Sequence, residues 1–244
     1  MENDWSMKHI HRLIVSSATY QQDSAHKSIL RDKDPNNRLL ACGPRLRVPA
    51  ETLRDIQLST SGLINLEIGG RCVYPPAPDF LFQRPVSYGP KTWPTELDNQ
   101  RYRRALYTFR FRSVPYPMLA IFDAATGDAA CVRRTSSTTP LQALTTLNED
   151  MSVEAAIALG SRILKSSIAE AFEHCTSRPP SPEELATLTK LFEHQKSNFT
   201  VEDANELIKT YQPLNLAAHD PTELAAATSV AQTLLNLDET MTKN

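Results

Sequence analysis

Three segments in the second half of the chain begin in the same way, and they constrain the fold most strongly. They are Thr139-Pro140-Leu141-Gln142, Ser181-Pro182-Glu183-Glu184 and Asp220-Pro221-Thr222-Glu223. The first residue supplies an oxygen that can cap backbone N–H groups, proline suits the first helical position, and the closing Gln or Glu can reach back. Beyond Thr139 the chain has one glycine, Gly160. The pattern predicts three helices, and the last has apolar residues at spacings of three and four over residues 224–241.

The first part of the chain predicts two more helices. Over residues 5–17, apolar side chains at positions 10, 13 and 14 fall on one helical face. A second helix is expected to begin near Pro49 and to run to about residue 61, just before Gly62. Residues 34–37, with the sequence DPNN, predict a turn between these helices.

The middle of the chain predicts loops rather than regular elements. Residues 69–94 contain three glycines and six prolines, and proline can neither donate to a ladder nor occupy a helix interior. Residues 104–112 fit neither a helical nor a strand period, although their aromatic and threonine content favours an extended segment. We therefore predict one mainly α, irregular multi-helix domain over residues 1–244, with long Pro/Gly/Arg-rich loops and at most a few short strands. Its parts are helical residues 1–68, loop residues 69–134 and helical residues 135–244.

Charge is distributed unevenly along the chain. Residues 1–134 carry 19 basic and 13 acidic side chains, a net charge of +6, and residues 135–244 carry 7 and 15, a net charge of −8. Fifteen of the 19 basic residues are arginine, which favours bidentate contacts with carboxylate, phosphate or sulfate oxygens. We favour an interpretation in which the two parts pack together and neutralise each other. The alternative is an anion-binding surface.

The four cysteines, at positions 42, 72, 131 and 175, are too far apart for a zinc ribbon, a CxxC redox motif or a CxxCH haem site. No covalent haem is therefore expected in this chain. An even count permits two disulfides if the protein is exported, with three pairings open. We favour four buried free thiols.

Other chemical motifs are missing from the sequence. It contains neither a glycine-rich phosphate loop nor a GxSxG nucleophile elbow, and His9 and His11 would lie roughly 200° apart on a helix. No metal site and no catalytic residue are predicted. No run of eighteen apolar residues occurs, so no membrane span is expected.

The arginine-rich segment, residues 101–134, is the candidate binding surface. Its candidate anion-binding residues are Arg101, Arg103, Arg104, Arg110, Arg112, Arg133 and Arg134. Interleaved aromatic rings suit stacking on sugars, whereas a near-neutral chain with few lysines argues against nucleic acid. The favoured interpretation is structural, with these arginines pairing with Glu51, Asp55 and Asp123 to hold loops onto the helices. His11 and Asp123 form a second candidate, a polar cluster.

Long ordered motifs relate the chain to a known family. They include WSMKHIHRLI at residues 5–14, RLRVPAETLRD at residues 45–55, RYRRALYTF at residues 101–109, TPLQALTTLN at residues 139–148 and LLNLDE at residues 234–239. With these motifs the chain resembles a planctomycete-specific C-terminal domain of unknown function that accompanies planctomycete-type cytochrome c domains. It departs from that pattern at Ala41-Cys42, where a bulky aromatic is common, and over residues 135–139, where a further arginine often occurs.

The resemblance implies a setting for the chain. We expect it to be the C-terminal part of a larger protein, located in the periplasm or at the cell surface. Upstream domains would be its partners, and any haem c would lie in those domains. The resemblance implies a noncatalytic binding or scaffolding module, with anionic polysaccharide as a candidate ligand. The alternative is an enzyme, or a subunit of one, in sulfated polysaccharide degradation, which convergence of His11, Asp123 and Arg104 or Arg133 in one pocket would favour.

Overall fold

A computed structural model describes residues 4–24, 32–83, 91–127, 129–213 and 216–243 of the chain. It divides into two compact units, the first made of residues 1–47 and 242–244 and the second of residues 48–241. Helices dominate, and the strands are two residues long. The prediction of a mainly α, multi-helix fold is therefore confirmed. Within the described ranges, no helix combines the length and apolar character needed to cross a bilayer.

The first unit contains helix α1 (Met7–Val15), which Ser6 caps by accepting from the His9 N–H. This helix lies inside the range predicted from the sequence, and its apolar residues at positions 10, 13 and 14 are about half exposed. The predicted DPNN turn is present, because the Asn37 N–H donates to the Asp34 carbonyl oxygen at 3.0 Å. Strand β1 (Leu46–Arg47) pairs antiparallel with strand β2 (Thr242–Lys243), which joins the two ends of this unit.

The second unit is built from helices and two 3₁₀ turns. Its helices in the described part of the chain are α2 (Ala50–Ser61), α3 (Phe80–Gln83), α4 (Pro117–Ile121), α5 (Pro140–Asn148), α6 (Asp150–Lys165), α7 (Ile168–Thr176), α8 (Pro182–Asn198), α9 (Val201–Thr210), α10 (Pro221–Leu235) and α11 (Asp238–Met241). The 3₁₀ turns are Asn99–Tyr102 and Ala105–Tyr107. Helix α2 ends where predicted, at Gly62, whose φ of 80° is a left-handed conformation that glycine adopts without strain.

All three predicted helix starts are present, with proline at the first helical position. Helices α5 and α8 have complete capping boxes, in which Gln142 and Glu184 reach back to the capping residue. The start of α10 differs. Asp220 accepts from two N–H groups, but Glu223 binds Lys196 at 2.7 Å instead of reaching back. The Glu223 carboxylate therefore pairs with Lys196 and does not complete the capping box that the sequence pattern predicted.

The centre of the helical core is the contact between α6 and α10, which is the most extensive helix pair described. Gly160 of α6 permits this contact. A Cβ atom at this position would lie 2.9 Å from the Thr228 nitrogen and 3.1 Å from the Ala227 carbonyl carbon, both in the backbone of α10. Helices α7 and α8 complete the cluster through side chains such as Phe172 and Leu188. Only glycine lets the two backbones approach this closely.

A second cluster in the same unit is aromatic, and many residues of the loop region pack in it. The Trp93 ring stacks on Phe82 with a centroid distance of 4.8 Å and on Tyr116 at 5.9 Å. The Trp93 Nε1–H donates to the Pro75 carbonyl oxygen at 2.7 Å. Met118, on α4, is buried in the same cluster. The proline-rich residues are thus organised around one indole ring, although residues 84–90 lie outside the described part of the chain.

Two local expectations are wrong. Ala105–Tyr107 forms a 3₁₀ turn rather than extended backbone, because the Asp55 carboxylate accepts from the Ala105 N–H at 2.7 Å and supports a turn at that point. Thr108 is extended and forms a parallel bridge with Val73. The four cysteines are free thiols, but residues 72 and 131 are exposed rather than buried. Both lie in the loop region, residues 69–134.

Candidate functional site

Arg54 is the residue that ties helix α2 to the arginine-rich segment. Its side chain is fully buried, and its guanidinium donates to the Arg103 carbonyl oxygen at 2.6 Å and to the Arg101 carbonyl oxygen at 2.8 Å. A buried guanidinium is tolerated when its N–H groups meet oxygen acceptors. The bond to the Arg103 carbonyl is buried, and the bond to the Arg101 carbonyl is partly buried. The backbone of residues 101–103 is therefore positioned by α2.

Arg103 extends this arrangement into the preceding loop. Its guanidinium donates to the carbonyl oxygens of Glu67, Gly69 and Arg71, at 3.0 Å for Glu67 and 3.1 Å for Arg71. The same group lies 3.7 Å from the centroid of the Tyr107 ring, in a cation–π contact. Arg103 is 1% exposed, so its charged group lies in the interior and is used for contacts within the protein. It acts as a clamp on residues 67–71.

Arg101 and Tyr102 meet a buried carboxylate on helix α6. Arg101 forms an ion pair with Glu154, and the Tyr102 hydroxyl donates to Glu154 Oε2 at 2.7 Å. Burial raises the pKa of the Glu154 carboxyl to about 7, against the opposing effects of the Arg101 charge and the Tyr102 hydrogen bond. A carboxyl that titrates near neutrality is a feature of functional sites and of buried ion-pair networks alike.

Two further arginines use the acidic partners that the sequence indicated. Arg104 Nε lies 3.2 Å from Asp55 Oδ2, and Arg134 Nη1 lies 2.5 Å from Glu51 Oε2. Partial burial raises the pKa of Glu51, but the Arg134 hydrogen bond and charge outweigh it and hold that pKa below its ordinary value. The arginine side chains of both pairs are about half exposed. Such pairs each contribute little stability in water.

The remaining candidates are divided between the interior and the surface. Arg110 donates to the Ala125 carbonyl oxygen, whereas Arg112 and Arg133 are exposed. Asp123 accepts hydrogen bonds from the Ser137 N–H at 2.8 Å and from the Ser137 hydroxyl at 2.7 Å. In the described part of the chain it forms no ion pair with an arginine, which the sequence had suggested. Anion binding by the seven arginines stays a prediction.

The predicted cluster of His11 and Asp123 involves residues of different units. His11 is an exposed residue of α1 in the first unit, and Asp123 belongs to the second unit, directly after α4. Asp123 has a φ of 61°, and its bonds to Ser137 connect the end of α4 to the start of α5. The Gln142 amide adds a contact of 3.5 Å to the same carboxylate. A joint role for His11 and Asp123 stays a prediction.

A second carboxyl, that of the partly buried Glu149, lies at the start of α6. The Tyr116 oxygen is 2.8 Å from Glu149 Oε1 and 3.0 Å from the Pro76 carbonyl oxygen. Burial raises the pKa of Glu149 and that of Tyr116. The Tyr116 hydroxyl is the donor to both acceptors, and its single proton is shared between the Glu149 carboxylate and the Pro76 carbonyl oxygen. The other Glu149 oxygen accepts from the Ser152 N–H at 2.9 Å.

A cavity of about 490 Å³ opens beside Tyr102, between the C-terminal end of α2 and the last turns of α6. Ser61 lines it from the last residue of α2 and Gly62 from the position that follows, and Ser161, Arg162 and Lys165 line it from α6. Tyr102 also lines it, so the Arg101–Tyr102–Glu154 group forms part of its surroundings. Among the described residues, no group of three or more His, Cys, Asp or Glu side chains is arranged to hold a metal ion.

The sequence analysis missed Arg54, Glu154 and the cavity. One signal was available for Arg54, because it follows Ala50 by four residues and precedes Leu58 by four, which places it on the buried face of α2. An arginine on the apolar face of a helix indicates a buried guanidinium group with hydrogen-bond acceptors close to it. The cavity had no such local signal, because its walls come from segments about a hundred residues apart.

Comparison with known proteins gives one match. The profile of a family described as a protein of unknown function (DUF1553) matches residues 1–192 of the 244. Searches of curated proteins and of solved structures gave no match. The matched residues include the Arg54–Arg103 contact, Glu154 and much of the cavity wall. The chain therefore belongs to the DUF1553 family of proteins of unknown function.

Proposed function

We propose that the chain is a noncatalytic scaffolding and binding module of an exported, cytochrome-linked planctomycete protein, with anionic polysaccharide as its ligand. The observation that carries the scaffolding role is the use of arginine inside the fold. Arg54 and Arg103 donate hydrogen bonds to backbone carbonyls, and Arg101 forms an ion pair with Glu154. Loops fixed in this way offer a rigid surface, which lowers the ordering cost of binding.

Exposed arginines support the proposed polysaccharide contact. Arg112 and Arg133 are exposed, and Arg104 keeps 52% of its side-chain area accessible. Guanidinium groups form bidentate contacts with sulfate and carboxylate oxygens, and such contacts weaken as salt screens the charges. The chain as a whole has a net charge of −2, so binding to a polyanion would have to come from a local surface and not from bulk attraction.

The test compares dextran sulfate with neutral dextran at low and high salt. We expect the chain to bind dextran sulfate, with weaker binding at high salt, and to ignore dextran. The double variant Arg112→Gln/Arg133→Gln should weaken this binding. The matched control, Lys190→Gln/Lys209→Gln, removes two exposed charges from α8 and α9 and should leave it unchanged. Equal binding of both polymers, or equal effects of both double variants, would refute the polysaccharide role.

The proposed cytochrome linkage has its own test in the coding DNA. An export signal and a CxxCH motif encoded upstream of Met1 would place the module in an exported haem protein. An in-frame stop codon directly upstream of Met1 would refute the linkage. This result bears on the setting of the module and leaves the polysaccharide experiment independent.

A second candidate function is an enzyme of sulfated polysaccharide degradation. The observation that favours it is the Glu154 carboxyl, whose pKa of about 7 suits a general acid or base and which contacts a residue of the cavity wall. The opposing observation is that the Glu154 side chain is 4% exposed. Release of new reducing ends from a sulfated polysaccharide, abolished in Glu154→Gln, would establish the enzyme. No release would favour the module.

A further inference from the structure

The cavity beside α6 has the size and boundaries of a small-molecule site. Its volume of about 490 Å³ lies within the range of roughly 300–1,000 Å³ typical of ligand pockets. It is formed within the second unit by the end of α2, the backbone that follows it over residues 63–66, and the last turns of α6. None of the candidate anion-binding arginines lines it, so this site is separate from the proposed polysaccharide surface.

The charge of the cavity wall favours a ligand that carries one negative charge. Arg162 and Lys165 lie three residues apart on α6 and both line the cavity, which has no acidic lining residue. Helices α2 and α6 both end here, and each C-terminus contributes about half a negative charge. Arg162 donates to the Thr60 carbonyl oxygen at 2.6 Å and so offsets part of that field. Two full cations against about one unit of helix-end charge leave a net charge of roughly +1.

The rest of the wall is suited to hydroxyl groups on a carbon skeleton. The Ser161 hydroxyl lies 2.8 Å from His219 Nε2, and Ser161 lines the cavity beside the cations. Asn99 adds an amide, which can both donate and accept. Leu63 and Leu216 supply apolar surface. A bare inorganic ion would leave the amide and the apolar wall unused.

We propose that this cavity binds a small hydroxylated organic monoanion, of the hydroxy acid or sugar acid class. The ligand's carboxylate faces Arg162 and Lys165, and its hydroxyl groups meet Ser161 and Asn99. This inference does not rest on the polysaccharide role, because it uses different residues and a different ligand size.

Calorimetric titration of the full chain with gluconate and with glucuronate tests the proposal, with glucose and sodium sulfate as comparison ligands. We expect at least one of the two sugar acids to bind more tightly than both comparison ligands. Lys165→Gln, at an exposed position, should weaken that binding about tenfold, the loss of one charge-assisted contact. Lys190→Gln, which removes an exposed charge from α8, is the matched control and should change nothing.

Four results would overturn the proposal. They are no binding of either sugar acid, equal binding of glucose, sulfate binding as tightly as the sugar acids, and undiminished binding in Lys165→Gln. Arg162→Gln would remove a bond to α2 and is less informative, because it can destabilise the fold. Ser161→Ala provides the second variant and should weaken gluconate more than sulfate. Dextran sulfate binding should be the same in Lys165→Gln as in the unaltered chain, which separates failure of this site from failure of the polysaccharide surface.

Discussion

The guanidinium of Arg54 donates to the carbonyl oxygen of Arg103 at 2.6 Å and joins two residues that are 49 positions apart in the chain. Each arginine in turn binds backbone carbonyls, Arg54 those of residues 101 and 103 and Arg103 those of the loop at residues 67–71. In this region, arginine side chains hold segments of backbone that do not form the regular hydrogen bonds of a helix or a sheet. The high arginine content of the loop region therefore has a structural use that is independent of any ligand.

Arg54→Met should lower the free energy of unfolding by about 3 kcal/mol, because two charge-assisted hydrogen bonds are lost and the carbonyls of Arg103 and Arg101 lose these donors. Arg54→Lys keeps a charge and at least one bond, so its loss should be smaller. Urea denaturation followed by circular dichroism measures both. The control Arg133→Met changes an exposed arginine and should stay within about 0.5 kcal/mol. A similar small effect at Arg54 would contradict the proposed bracing.

Glu154 should make stability depend on pH. Its pKa is raised to about 7 in the folded protein, above its value in the unfolded chain, so the folded state binds the proton more tightly. The contribution is fully present below the unfolded pKa and is lost as pH rises through about 7. Relative to Glu154→Gln, the unaltered chain should lose up to about 3 kcal/mol between acidic and mildly alkaline pH. Parallel urea curves for the two proteins at all pH values would show that this burial effect is absent.

Gly160→Ala should destabilise the protein, although alanine is the better helix former by about 1 kcal/mol. The added methyl group would meet the backbone of α10 at Thr228 and Ala227, which cannot move aside without separating the two helices. We expect a net loss of about 1–3 kcal/mol, measured as a shift of the thermal midpoint. Thr187→Ala, at an exposed position of α8, gains helix propensity without this contact and should be neutral or slightly stabilising. A stabilising Gly160→Ala would mean that the helices are less closely packed.

Arg178 should control the titration of Glu184. Its guanidinium forms two contacts with Glu184, at 2.7 and 2.9 Å, and two with Glu239 at the same distances. The Arg178 hydrogen bonds are the largest cause that lowers the pKa of Glu184 to about 2, so the stability linked to Glu184 is present above the unfolded-state pKa and is lost as pH falls from that value through about 2. In Arg178→Gln this pKa should rise toward the ordinary range, as carboxyl ¹³C shifts would record. Lys190→Gln should leave it in place. An unchanged Glu184 in Arg178→Gln would assign the shift to the Ser181 cap instead.

The helices were predictable because their starts are encoded locally. A capping oxygen, a proline and a Gln or Glu side chain that can reach back lie within four residues, and the proline positions of α5, α8 and α10 agree with the pattern. The cap of α10 was predictable only in part, since Lys196 lies 27 residues from Glu223. Local chemistry determines where a helix begins, but distant cations decide where its carboxylates bind.

The arginine contacts were predictable only as a class. Sequence indicated pairing with Glu51 and Asp55, and both pairs are present, whereas Asp123 binds Ser137. The strongest contacts of Arg54 and Arg103 are to backbone carbonyls, which every residue has and which no sequence pattern marks. The cavity was not predictable for a related reason, because its charge depends on two helix ends meeting.

The clamp that Arg103 forms on residues 67–71 also implies an order of events during folding. The capping bonds that start α5 and α8 join residues three positions apart, whereas Arg103 must close loops of more than thirty residues, and Arg54 one of 49, before their bonds can form. Closing such loops costs chain entropy before the contacts repay it, so long-range contacts form slowly. We expect the individual helix starts to form early and residues 67–71 to take their final shape later. A newly made chain therefore passes through a stage with locally formed helices and unclosed arginine-rich loops.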